Sequence, residues 1–135
     1  MFDRLSRFIA RFFRKHPASL AELEGKIVLA GLSFLDEEGA VAERFQLYGR
    51  VIRASRHEGV VLAKGDGTGE FILPPYPLQS YRRAASGEYT IKSSGARIMD
   101  PDFTTAWLID GPPDGWPETR LHGMQGGFEP VSGTD

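Results

Sequence analysis

Two carboxylate clusters have the residue types for acid–base or cation chemistry: Asp36-Glu37-Glu38 and Asp100-Pro101-Asp102. Paired carboxyls can divide into acid and base when their surroundings push their pKa values apart, and they suit a divalent cation. Asp36-Glu37-Glu38-Gly39 reads as a solvated hairpin turn. Neither cluster follows the alternating order of a calcium loop. Asp100 and Asp102 therefore stand as the candidates for an enzyme or small-ligand reading. The plainer account is an Asx-type turn, in which the aspartates accept nearby backbone N–H groups.

The remaining chemistry-bearing types are scattered. His16, His57 and His122 have no ligand at metal-like spacing. Gly65-Asp66-Gly67-Thr68-Gly69 invites a phosphate-cradle reading, but Glu70 follows where a P-loop needs Lys and then a helix. A tight β-turn fits better. Ser33 follows Gly31 without the closing glycine of a nucleophile elbow. Cysteine is absent, so thiolate metal sites and disulfides are excluded. These residues point to no enzyme, and no cofactor or metal is expected.

Charge bears on the partner class. Residues 1–15 carry five basic residues and one acid, a balance of +4, whereas the other 120 carry 11 basic and 17 acidic residues, a balance of −6. A body of that sign argues against coating nucleic acid. Arg50, Arg53 and Arg56, three apart, alternate faces on a strand and make no basic stripe. Tyr48 and Phe45 could stack bases, but strand aromatics more often fill a core. An acidic body suits a basic protein partner, the physics that small inhibitor or immunity proteins use.

Aromatic residues near prolines, arginines or expected loops are the candidate contacts: Tyr76, Tyr81, Trp107 and Trp116, with Phe8 and Phe12 at the amino end. Trp and Arg supply many protein–protein hot spots. The alternative for the four body aromatics is that they plug the ends of the fold.

The elements that position these residues follow from periodicity. Phe2, Leu5, Phe8, Ile9, Phe12 and Phe13 recur every three or four residues, which predicts an amphipathic helix over residues 1–16 stopped by Pro17. It is too short and charged to span a membrane. Being Arg-rich and acid-poor, it resembles a mitochondrial presequence. It either packs on the core or lies in a membrane interface with its arginines on anionic head groups. Ser19 to Glu22 has capping-box spacing, with Gly25 ending one turn.

The organising stretch is Phe45–Pro75, where three runs separated by Gly- and Asp-rich turns predict a β-meander. The near-continuous apolar run Lys26–Phe34 predicts a strand covered on both faces over part of its length. A strand over Val41–Ala54 would be long, with Gly49 marking a bulge or bend. Further strands are expected at Gly87–Ser93, Ala96–Met99 and Phe103–Ile109, and a helical turn or covering loop at 78–86. Residues 111–135, with six Gly and four Pro, read as an irregular tail.

The expected fold is mainly β: a small antiparallel, SH3-like or Sm-like, partly open barrel of six or seven strands over residues 17–110, with the helix before it and the tail after it. A short helix ahead of a bent second strand is similar to the Sm-like layout, although Sm-like RNA-binding loop signatures do not align here. The expected function is a non-enzymatic, cytoplasmic protein-interaction module. The alternatives are a membrane-surface accessory protein held by the amino-terminal helix and a ligand binder or enzyme using Asp100 and Asp102. An unpaired edge strand would allow homo-oligomers.

Overall fold

A computed structural model describes residues 14–124 and 127–131. Among these residues nine strands form, in order, β1 (Ile27–Leu35), β2 (Val41–Ser55), β3 (Gly59–Lys64), β4 (Glu70–Leu73), β5 (Tyr81–Arg83), β6 (Glu88–Thr90), β7 (Arg97–Met99), β8 (Phe103–Ile109) and β9 (Phe128–Pro130). Among the described residues one α-helix, α1 (Trp116–His122), precedes β9. The main sheet has seven strands in the order β4-β3-β2-β1-β8-β5, with β9 also pairing β8. The β6–β7 hairpin forms a separate two-stranded sheet.

The chain is mainly β, as its alternating runs predict, but the strand path does not close into a barrel. The sheet is also mixed, because β1 pairs β8 in parallel from Val28↔Phe103 to Phe34↔Ile109. Asp102 pins the start of that ladder: its N–H donates to the Ile27 carbonyl at 2.9 Å and its carboxylate accepts the Ile27 N–H at 2.8 Å.

β1 shows why the sheet has two covered faces. Val28, Ala30, Leu32 and Phe34 point into the main core with Leu62, Phe71, Tyr81, Phe103 and Trp107. Leu29 points the other way, onto Ile91 and Ile98 of the small hairpin. Period-two alternation thus feeds both layers from one strand.

In β2 the register against β3 slips between Val51 and Arg53. The bulge therefore lies at Ile52, not at Gly49 where it was expected. Gly49 does a different job: a Cβ there would overlap the Ala63 carbonyl and stand 3.1 Å from the Leu62 Cβ. Two backbones cross too closely for a side chain.

Residues 111–131 correct the expectation of an irregular tail. Pro117 sits in the first turn of α1, where its missing N–H costs nothing. Trp116 lies against Phe34, ring centroids 5.1 Å apart. Gly123, at φ +91°, then brings the chain against β4, and the Met124 N–H donates to the Ile72 carbonyl at 2.7 Å. A Cβ on Gly123 would overlap that backbone. Residues 78–86 open with the expected helical turn, a 3-10 turn over Leu78–Ser80, and then add β5, which was not expected.

The expected helix over residues 1–16 falls largely outside the described residues, and Arg14–His16 run as bent coil. There the Lys15 carbonyl accepts the Arg83 N–H on the outer edge of β5. The expected capping box is replaced: Glu22 accepts the Ala18 N–H at 2.9 Å and binds Arg14 and Arg83.

Candidate functional site

Four segments distant in sequence meet around a cavity of about 650 Å³, within the usual range for ligand sites. Its floor is the stretch Phe45–Tyr48 of β2. α1 walls one side through Pro117 and Leu121, and the β6–β7 turn walls the other through Ser93 and Ser94. The β3–β4 loop closes one end.

Local physics places each wall. The Gly65 N–H donates to the Tyr48 carbonyl at 2.9 Å, which starts the β3–β4 loop beside the floor. A Cβ on Gly65 would overlap the far end of the Tyr48 ring, so glycine leaves room for that end against the loop. Asp66 holds the loop closed by accepting the Thr68 hydroxyl at 2.5 Å and its N–H at 2.9 Å. These bonds, the hydroxyl's first, draw its carboxyl below the usual aspartate range. Lys64 donates to the Leu121 carbonyl at 2.8 Å, satisfying an orphan group at the end of α1. Arg120 binds Glu43 at 2.6 Å and lies over the Phe34 ring. Leu121 itself is 53% exposed. The result is an apolar slot with a polar rim whose ionisable members mostly serve the fold.

Phe45 and Tyr48, weighed above as stacking residues, lie in the slot's floor, but the aromatic residues expected to make partner contacts do not converge on it. Tyr81 and Trp107 are fully buried, and Trp116 nearly so. Tyr81 donates its hydroxyl to the Pro74 carbonyl at 2.6 Å and meets Trp107 edge-on. Burial pushes the Tyr81 phenol far up. Trp116 donates to the Gly111 carbonyl at 3.0 Å. These three are core residues and present no surface to a partner. Tyr76 is exposed, beneath the Arg56 guanidinium at 5.9 Å. Phe8 and Phe12 lie outside the described residues.

The carboxylates part company. Asp100 accepts the Gly87 N–H at 2.7 Å, while Asp102 holds β1 as described. Each bonds backbone, as expected, but of a remote element and not of a local turn, and neither lines the cavity. Asp36 accepts two N–H groups of its own turn. That turn and Asp110–Pro113 border a second cleft of about 460 Å³ rich in carboxylates. Among the described residues, no group of three or more His, Asp or Glu side chains is placed to hold a metal ion. Arg53 bonds Glu58 and Glu70 at 2.6 and 2.9 Å on the open surface. Those hydrogen bonds hold both glutamates below the ordinary value and the guanidinium above its own.

Leu121, Lys64, Ile91 and Arg120 were not candidates from sequence. Only Leu121, an apolar residue among charges in WPETRLH, offered a signal. No helix among the described residues is long and apolar enough to cross a membrane. No family model, no curated protein and no solved structure matches this chain.

Proposed function

We propose that the protein is a non-enzymatic interaction module and that the slot between β2, α1 and the β6–β7 turn receives a segment of a partner protein. The observation that carries this reading is the slot itself: a floor from β2, an exposed leucine on its wall, and rim charges committed to structural bonds. Apolar concavities with a few polar groups are where binding energy concentrates.

The test is retention of a partner from extracts of the source cells. Wild type and Ile52→Glu, which alters another exposed apolar side chain outside the slot, should retain the same protein. Leu121→Glu should lose it while keeping its unfolding midpoint. Equal retention by all three proteins would remove the slot from the interaction.

A further inference from the structure

The floor of the slot is also an unpaired strand edge. β2 pairs β1 along Val41–Arg50, but β3 pairs β2 only from Gly49 onward. The amino-terminal half of β2 therefore has one ladder and one open side among the described residues. Alternation fixes which groups face that side. The Val51 N–H donates to the Lys26 carbonyl ahead of β1, whereas the Tyr48 carbonyl accepts from Gly65 on the β3 side. Counting back in twos, Arg44, Gln46 and Tyr48 aim their N–H and C=O groups away from β1. The Gln46 carbonyl holds only the Ser93 hydroxyl, at 3.0 Å. The Arg44 carbonyl and the N–H groups of all three have no protein partner among the described residues. Elsewhere the sheet protects itself. β4, β5 and β9 have four residues or fewer, β4 is touched by residues 123–124, and β5 by Lys15.

Resting on the reading of the slot given above, we infer that this half-edge of β2 is completed by an extended segment of the partner in which acidic and apolar residues alternate. An added strand would have α1 against one face and the small hairpin against the other. On the α1 side it meets Leu121 and Phe45. On the hairpin side lie Arg44, which shares that face of β2 with Gln46 and Tyr48, and Lys92, whose N–H donates to the Gln46 side chain at 3.0 Å. Neither cation has an ion pair among the described residues. The nearby acids, Glu43 and Asp66, are already bonded to Arg120 and Thr68. Local charge therefore favours carboxylates, opposite to the sign that suits the body as a whole. Main-chain bonds would supply affinity, and alternating side chains the selectivity.

Amide hydrogen exchange followed residue by residue tests this on the full-length protein. In the free protein, the amides of Arg44, Gln46 and Tyr48 should exchange fast and those of Phe45, Leu47 and Gly49 slowly. An end-capped eight-residue peptide alternating valine and glutamate should slow the first three selectively. The same peptide with lysine for glutamate should not. Arg44→Pro removes an outward N–H without breaking the β1 ladder, so it should weaken binding about tenfold or more. Ser93→Ala, which frees the Gln46 carbonyl, should tighten it. Failure of the glutamate peptide to slow those amides overturns the edge pairing, as does binding that survives Arg44→Pro. Concentration-dependent protection without peptide also overturns it, in favour of a second copy of the chain. If Leu121→Glu abolishes partner retention while these amides stay unprotected in the complex, the slot reading stands and the edge pairing falls.

Discussion

Two glycine-to-alanine substitutions should separate backbone crowding from side-chain crowding. At Gly49 the added methyl meets the Ala63 carbonyl and the Leu62 Cβ. Those atoms belong to β3, whose next strand pairs are fixed by the core residues Val60 and Leu62. Relief requires two strands to part, and overpacking of that kind costs about 2–3 kcal/mol. At Gly65 the three atoms nearest the methyl belong to the far end of the Tyr48 ring, a half-buried side chain packed beside Leu29, Ile91 and Ile98, and the end of one side chain yields more cheaply than a paired strand. Alanine also narrows the unfolded ensemble, worth roughly 0.4–1 kcal/mol. The net change at Gly65 should therefore lie within about 1 kcal/mol of zero. Urea unfolding of both variants gives the two numbers, and the slope should stay unchanged if only native stability moves. With the same unfolded-state gain set against its cost, Gly49→Ala should still lower Tm by roughly 4–10 °C in a chain of this size. Equal costs at the two positions, or the larger cost at Gly65, would refute the reasoning. Gly65→Ala should also shift the Tyr48 ring resonances, because the end of the ring can no longer lie against the loop.

Other outcomes follow from single contacts. Thr105 and Trp107 on β8 each carry a buried polar atom with no partner among the described residues, so Thr105→Val should stabilise the fold by about 1 kcal/mol in the same urea assay. Tyr81→Phe strands the buried Pro74 carbonyl and should cost about 1–2 kcal/mol. Glu58 and Glu70 have depressed folded pKa values, so what they add is present above the ordinary glutamate value of 4.5 and fades as pH falls through their lowered values. Arg53→Gln should flatten that acid limb of a stability–pH profile, and high salt should shrink the difference, because all three groups are exposed. If the amino-terminal stripe anchors the chain to lipid, Phe8→Glu with Phe12→Glu should abolish co-sedimentation with anionic vesicles and leave Tm unchanged. Unfolding by that pair would make the stripe part of the core.

The strands were legible where alternation is local. FTTAWLI gives β8 because Phe103, Thr105, Trp107 and Ile109 fall on one face. The same pattern places Trp107 in the core and not at a contact surface, since alternation reports facing more directly than residue type does. The double cover of β1 was legible in its near-continuous apolar run, with Leu29 serving the second layer. The parallel β1–β8 pairing was not, because it joins residues about 75 apart and leaves no local signature. α1 was hidden by its flanking glycines and prolines, although Pro117 at its start is itself a helix signal. The slot could not be read at all. Its walls come from β2, the β3–β4 loop, the β6–β7 turn and α1, and only the packed chain brings them together. Asp100 and Asp102 look paired in sequence, yet the backbone turns between them so that each serves a different neighbour.

Photo-crosslinking from inside cells tests the slot most directly. Leu121 is replaced by benzoyl-phenylalanine in one protein and Ile52 in another, and the adducts are sequenced. The slot reading predicts one partner protein crosslinked at position 121 through a single short segment, and no such adduct at position 52. Equal adducts at both positions, or none at 121 while the partner still co-purifies, would contradict it.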